Sequence, residues 1–346
     1  MPFKILVTGC AGYLGGTFTY EALKLGHKVL GIDNFSNSTQ EVIDKLKLDN
    51  EELFFFKKID LHQYNDSLNE LFKEFNPDVV VHFASLKSVT ESTKLPATYW
   101  KNNLLSTMNL VDAMHQSGCK KLIFSSSAVI YGDSSIQPVK EDFNLVFNTP
   151  YANTKIAIEK YLQDISLSGS LDIISLRYFN PVGSHSSYLI YEDPRGAPNN
   201  LMPRIIRVAL GLDQEISIYG KDYATGDGTG ERDYIHIDDL IKGHIAAIQY
   251  LSHQKGFIPI NLGTGRKYSV LELIHTFEKV NNLRINFSFD KRRDGDIPIS
   301  YADPGIASKK LNWRAVKNLE DMCVDSWQAI QSNKQYFPNL KFEQTN

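Results

Sequence analysis

The chain has 346 residues, with 37 Lys and Arg against 40 Asp and Glu, a net charge of −3 and 42% hydrophobic residues. That length suits two domains, or one domain carrying a second lobe, and the apolar fraction supports a sizeable core, which excludes disordered and fibrous classes. The charge balance argues against a nucleic-acid partner, no apolar run nears the roughly 18 residues a membrane helix needs, and Cys10, Cys119 and Cys323 follow no disulfide or zinc spacing.

The N-terminus, Met1-Pro2-Phe3-Lys4-Ile5-Leu6-Val7, reaches glycine too soon for a signal peptide, so a reducing compartment, most simply the cytoplasm, is expected. Short apolar runs then alternate with helix-sized stretches. The runs Phe3–Thr8, Lys28–Asp33, Leu53–Lys57, Asp78–Ala84, Lys120–Ser125 and Leu171–Phe179 predict strands, most with little polar alternation, as in strands covered on both faces. Between them, Tyr13–Leu25, Tyr64–Phe75 and Trp100–Ser117 predict helices. In the last, Leu104, Met108, Val111 and Met114 recur at helical spacing and predict one buried face. This rhythm predicts an α/β fold, a doubly wound parallel sheet. It breaks after Pro181, where 184–200 and 220–233 read as long functional loops. A first lobe over 1–180 and a smaller α/β lobe over 181–346 are expected. The second lobe draws on helices near 201–210, 237–251, 268–280 and 318–332 and strands near 215–219, 257–262 and 285–289.

Thr8-Gly9-Cys10-Ala11-Gly12-Tyr13-Leu14-Gly15-Gly16 follows the first predicted strand and opens the first helix. Such a turn lets backbone approach a pyrophosphate, while the helix N-terminus offers free N–H groups and partial positive charge. The spacing is GxxGxxG, not GxGxxG, and a plain structural turn would read the same way. Asp33 closes the second predicted strand eighteen residues after Gly15, where a carboxylate can accept from adenosine ribose hydroxyls. It would repel a 2′-phosphate, which points to NAD over NADP. Asp60 is a weaker candidate for the adenine edge.

Thr149-Pro150-Tyr151-Ala152-Asn153-Thr154-Lys155 predicts a capped helix with Tyr151 and Lys155 four apart on one face. An ammonium, a helix N-terminus and a cationic nicotinamide ring would favour the phenolate and bring Tyr151 toward use as a general base. Tyr20 and Lys24 have the same spacing by chance, in the middle of the first predicted helix. Tyr151 differs because Phe124-Ser125-Ser126-Ser127 ends a strand upstream, which puts Ser127 where ligands of open parallel sheets bind.

With these residues in hand, the chain resembles the extended short-chain dehydrogenase/reductases, in particular their UDP-glucose (UDP-galactose) 4-epimerase branch. The resemblance runs nearly end to end. Its most specific stretches are Arg177-Tyr178-Phe179-Asn180-Pro181-Val182-Gly183, Asn199-Asn200-Leu201-Met202-Pro203, Gly228-Thr229-Gly230-Glu231-Arg232-Asp233-Tyr234 and Arg293-Asp294-Gly295-Asp296. It implies a Rossmann-like fold and a cofactor site for NAD. In that site Gly9, Gly12, Tyr13, Leu14 and Gly15 hold the pyrophosphate. Asp33, Asn34, Phe35, Ser36, Asn37 and Ser38 hold the adenosine ribose and its surroundings, and Asp60 and Leu61 the adenine. Phe83, Ala84, Ser85, Leu86, Lys87, Asn102 and Phe179 line the rest. Ser127, Tyr151 and Lys155 carry the chemistry and also touch the cofactor, the first two the substrate as well. Asn180, Asn200, Leu201, Ser217, Ile218, Tyr219, Arg232, Arg293 and Asp296 hold a UDP-sugar. The two arginines are forks suited to a diphosphate, although salt bridges to Asp233 or Asp294 would look alike in sequence.

Ser300 stands where some members carry tyrosine, so room beside C2 for N-acetylated sugars is expected; Ser85 stands where glycine is frequent. The resemblance further implies a homodimer pairing helices 100–117 and 150–166, and it implies no metal. The alternatives are another NAD-dependent nucleotide-sugar enzyme, a 4,6-dehydratase or decarboxylase, and a non-catalytic NAD sensor. The first would need an acid within Ser127-Ala128-Val129-Ile130-Tyr131, which has none, and the second would not need Ser127, Tyr151 and Lys155 together. The nine histidines show no HExxH spacing, and no GxSxG elbow is present.

Overall fold

Strands such as Val79–His82, whose four residues are all buried, have no solvent face and must lie inside a layered structure. The computed structural model describes residues 2–48, 50–63, 66–134, 136–192, 198, 200–293 and 295–333, and shows that arrangement. Tyr64, Asn199 and Asp294, used in the expectations above, lie outside the described residues.

The first half runs β1 (Lys4–Thr8), α1 (Tyr13–Lys24), β2 (Lys28–Asp33), α2 (Gln40–Lys47), β3 (Phe54–Lys58), α3 (Asp66–Phe75), β4 (Val79–His82), α4 (Val89–Lys94), α5 (Pro96–Ser117), β5 (Lys121–Ser127), a 3-10 turn (Ala128–Tyr131), α6 (Pro150–Leu167) and β6 (Asp172–Tyr178). Then come β7 (Asn180–Val182), α7 (Leu201–Ala209), β8 (Ile216–Tyr219), β9 (Glu231–Arg232), β10 (Tyr234–His236), α8 (Ile237–Leu251), β11 (Phe257–Leu262), β12 (Tyr268–Ser269), α9 (Val270–Asn281), β13 (Phe287–Asp290), β14 (Ile299–Ser300), α10 (Gly305–Leu311) and α11 (Leu319–Ser332).

The main sheet has the order β11-β6-β5-β4-β1-β2-β3, with every pairing parallel. The winding reverses between β1 and β4, so a crevice opens at their carboxyl ends, Thr8 and His82, which lie in register. Helices cover both faces and form two apolar cores, one under α1 and α8, the other under α3, α5 and α6.

The lobes are not consecutive halves. α8 and β11, expected beyond residue 181 in the second lobe, belong to the main sheet: β11 pairs with β6, and α8 packs on α1. The reason is coverage. The free edge of β6 needs hydrogen-bond partners, and Ile237, Leu240, Ile241, Ala247, Ile248 and Leu251 of α8 need an apolar surface; all are buried. The smaller lobe has its own core of α7, α9 and α11 residues with the β8–β13 pair.

Helix α5 departs from its predicted face. Met108 is 40% exposed, while Asn103, Ser106 and Thr107 are buried. At the crevice end of the sheet, buried backbone and His82 need hydrogen-bond partners, so polar residues face inward. The helix also starts earlier than expected, because Pro96 occupies its first turn instead of breaking it.

Behind the crevice, Arg177 is almost wholly buried and paired with Glu159 of α6 through contacts of 2.6–3.2 Å. Its remaining amine donates to Tyr131 Oη and to the Glu141 carbonyl. Tyr131 Oη in turn donates to Asn261 Oδ1 at 2.6 Å. Each nitrogen of the guanidinium has an acceptor, and such pairing offsets the cost of burying the charge. The network locks α6 to β6, β11 and the 3-10 turn.

Candidate active site

The turn after β1 shows why glycine is needed. Gly9 has φ +70, and a Cβ on it would stand 2.9 Å from the Ala84 nitrogen. A Cβ on Gly15 would stand 2.1 Å from the Gly9 carbonyl oxygen. Helix α1 therefore starts against the turn, and its N-cap, Gly12, supplies no side-chain acceptor to the first N–H groups. The turn's own N–H groups, Gly9, Cys10, Ala11 and Gly12, are spent on Ile32, Asp33 and Gly9, so it is the uncapped start of α1, held close to this glycine cradle, that suits a pyrophosphate. Tyr13 Oη ties the cradle to the Gly183 carbonyl at 2.7 Å, and Leu14 packs on the core.

Asp33 closes β2 beside the cradle. Its Oδ2 accepts from Ala11 N at 3.0 Å, and its Oδ1 from Phe35 N and Ser38 Oγ at 2.8 and 2.9 Å. Three of about four acceptor positions are used, which leaves one for a ribose hydroxyl. Phe35 is held in the left-handed region at φ 60, its ring 5.3 Å from that of Phe56. Asn34 turns back on Ser36 N, and Asn37 is exposed. Asp60 contacts His62 Nδ1 at 2.6 Å, and Leu61 is buried with its carbonyl accepting from Asn109.

The segment after β4 is pinned from below. The Ala84 N–H donates to Thr8 Oγ1, which lies 2.7 Å from His82 Nδ1; His82 Nε2 lies 3.1 Å from Thr107 Oγ1, which donates to the Asn103 carbonyl. Because Thr107 spends its proton on a carbonyl, His82 must donate from Nε2 and accept at Nδ1. Burial and the Lys155 charge push His82 down to about 3, so it is neutral. Phe83 forms a ring cluster with Phe18 and His244, at 5.7 and 5.0 Å, and Ser85 Oγ donates to the Leu86 carbonyl. Asn103, not the neighbouring Asn102, grips Leu86: Oδ1 accepts from its N–H and Nδ2 donates to its carbonyl. Asn102 is half-buried.

Thr149 caps α6, its side chain accepting from Ala152 N, and Pro150 occupies the first turn. This sets Tyr151 and Lys155 on one buried face beside Ser127, the last residue of β5. Lys155 Nζ donates to the Ser125 carbonyl at 2.9 Å and lies 6.0 Å from the centre of the Tyr151 ring. Burial pushes Tyr151 up to about 12, with the Ser127 hydroxyl pulling the other way. Burial likewise pushes Lys155 down to about 7, opposed by the Glu159 carboxylate. In the protein alone desolvation is the largest influence on both groups, so the tyrosine is a neutral phenol at neutral pH. Phe179 is buried next to them.

The smaller lobe brings up the remaining groups. Arg293 makes a two-point pair with Asp296 and lies over the Tyr219 ring at 4.6 Å, with Arg204 on the same ring. Arg232 donates to the carbonyls of Glu231 and Pro298, not to Asp233. Asp233 instead pins three segments: it accepts from Thr264 N and Oγ1, Gly265 N and Ala302 N, although burial still pushes it up to about 6. That pin lays Ser300 in register with Arg232. Asn180 donates to the Asp233 carbonyl, and Asn200 donates to Glu192, which also meets Lys87. Leu201 begins α7; Ser217 and Tyr219 are partly exposed, while Ile218 belongs to the lobe's core.

Residues 5–263 match the NAD dependent epimerase/dehydratase family. This chain is a member of that family. It is similar to the UDP-glucose 4-epimerase of Bacillus subtilis (strain 168), 43% identical over 331 residues covering 95% of this chain and 97% of the relative. A solved UDP-glucose-4-epimerase from Stenotrophomonas maltophila, with bound NAD and formylated UDP-arabinopyranose, gives a TM-score of 0.93 at 42% identity, covering 96% of this chain and 99% of that one. The UDP-Glc/GlcNAc 4-epimerase from Campylobacter jejuni gives 0.82 at 31% identity, covering 95% and 99%.

Family membership leaves several groups that sequence reasoning passed over. Arg292 lies 4.2 Å from the centre of the Tyr223 ring and pairs with Asp222. Asn103 and Asp233 do most of the positioning. Nothing in a linear reading separates Asn103 from Asn102; only the helix phase does.

The neutral state of His82 has a pH consequence. Between its folded value near 3 and its unfolded value of 6.5, the unfolded chain binds a proton that the native state does not, so stability rises with pH. His244, pushed by burial down to about 4, acts in the same direction, and Asp233 acts against both. In His82→Gln, the slope of unfolding free energy against pH, measured by denaturant titration between about pH 4 and 6, is expected to be smaller by about 1.4 kcal/mol per pH unit. An unchanged slope would show that His82 is already protonated in the native state.

Proposed function

We propose that the protein inverts C4 of UDP-hexoses, interconverting UDP-glucose and UDP-galactose with tightly held NAD. The observation that carries this reading is the meeting of Ser127, Tyr151 and Lys155 at the carboxyl end of β5, on the sheet edge that also carries the Gly9–Gly15 cradle. The cradle and Asp33 would hold the dinucleotide, with the 83–87 segment, Asn102 and Phe179 along the rest of it.

NAD, when bound there, would supply a reversible hydride acceptor for C4. The chain's own residues handle the proton and the orientation. Tyr151 takes the O4 proton, directly or through Ser127, and gives it back on the return step. Lys155 would hold the cofactor ribose and, when protonated, favour the phenolate of Tyr151. A Tyr151 near 12 is a poor base alone, so positive charge brought in with the cofactor must lower it for catalysis. Arg232, Arg293, Asn180 and the 200–201 and 217–219 segments anchor the UDP, so that the sugar can turn while the nucleotide stays. Lacking an acid in 128–131, the site favours this over 4,6-elimination or decarboxylation.

Tyr151→Phe is expected to lose at least about a hundredfold in kcat while keeping its NAD, since a positioned acid–base group contributes roughly that much. Turnover close to the parent would remove Tyr151 from this role.

Ser300 is half-buried and in register with Arg232, and its small side chain would leave room beside a sugar held by that arginine. We infer that UDP-N-acetylglucosamine and UDP-N-acetylgalactosamine are substrates too. In a panel of four UDP-sugars, Ser300→Tyr should lose the N-acetyl pair and keep the plain hexoses; equal loss or retention of both pairs would refute the gate.

We also infer a homodimer through α5 and α6, because Trp100 and Met108 leave large apolar groups 37% and 40% exposed on α5. Light scattering should give twice the 39.2 kDa chain mass, and a monomer mass would reject it. The cytoplasm is the proposed compartment, consistent with three buried free thiols and checkable by cell fractionation.

A further inference from the structure

The backbone of Tyr151 is held at both of its polar atoms by buried side chains from outside the expected catalytic group. Its N–H, one of the orphan donors of the first turn of α6, donates to Ser92 Oγ at 3.2 Å, and Ser92 donates to the Val89 carbonyl at 2.6 Å. Its carbonyl accepts from Thr154 Oγ1 at 2.8 Å, and Thr154 accepts from Asn103 Nδ2 at 3.1 Å. Ser92 and Thr154 are fully buried, and Asn103 is 1% exposed.

Both arms lead back to one stretch of chain. Asn103 spends the rest of its carboxamide on the N–H and carbonyl of Leu86. Ser92 lies on α4, whose start is held by the Ser88 N–H donating to Tyr99 Oη; that hydroxyl donates to Glu91 at 2.7 Å. The Tyr99 ring stands edge-on to the Tyr151 ring, centroids 6.5 Å apart. Thus the 84–92 segment, which carries part of the proposed cofactor site, is bonded to Tyr151 from above and below.

We propose that Ser92 and Thr154 are positioning residues for Tyr151: a two-sided clamp that sets the phenol relative to the cofactor segment through Asn103 and α4. This rests on the epimerase reading above for what the phenol does. A hydroxyl that merely satisfied a helix end would affect folding; a clamp affects the reacting geometry, where displacement of about 1 Å costs up to a hundredfold.

Thr154→Val keeps the shape and removes the hydroxyl, whereas Thr154→Ser keeps the hydroxyl and removes a methyl. With purified enzyme and UDP-galactose, Thr154→Val is expected to lose on the order of tenfold in kcat, with KM and bound NAD per chain within about twofold of the parent. Thr154→Ser should recover most of the loss. Parental kcat in Thr154→Val, an equal loss in Thr154→Ser, or a loss that tracks NAD content or folded fraction would overturn the clamp. Should Thr154→Val not fold, Ser92→Ala must show the same split between kcat and KM, and its absence there overturns the clamp equally. An inactive parent protein would count against the epimerase reading, before any variant is compared.

Discussion

The close approach of helix α1 to the turn before it is the constraint from which the site follows. Gly15 comes so near the Gly9 carbonyl that no side chain fits between them, and Gly9 in turn lies against the backbone of Ala84. Three segments therefore meet at the switch point of the sheet with their backbone exposed to a ligand. Hydrogen bonds at this meeting also hold Asp33, through Ala11 N, and the 83–87 segment, through Ala84 N and Thr8 Oγ1. Any side chain at Gly15 would push α1 away and dissolve that common origin.

A second theme is that burial and catalysis pull in opposite directions. The site collects Tyr151, Lys155, His82 and Asp233 where water is scarce, and each moves toward its neutral form. For His82 and Asp233 this suits a framework role. For Tyr151 and Lys155 it means that the protein alone favours their uncharged forms.

Much of this was legible in the sequence, for reasons that can be named. Unbroken apolar runs marked the buried parallel strands, and Lys28–Asp33 forms as read because a strand covered on both faces has no competing pattern. Thr149 and Pro150 marked the start of α6, since capping is local chemistry. What stayed hidden was long-range. The return of β11 to the edge of β6 has no local signal, so the lobes looked consecutive. The inward polar face of α5 answered to His82 and Leu86, partners known only once the chain is folded. The depth at which Tyr151 and Lys155 lie was hidden as well, because spacing shows a neighbouring charge but not burial.

The account's central claim is that one carbon lends a hydride within the site and receives the same hydride back. Epimerisation of UDP-galactose carrying deuterium at C4, followed by mass and NMR analysis of the UDP-glucose formed, tests it most directly. The label should be found entirely at C4 of the product, with none lost to solvent. Washout of deuterium into water would contradict the account, since it would mean that C4 is inverted by proton exchange and not by a stored hydride.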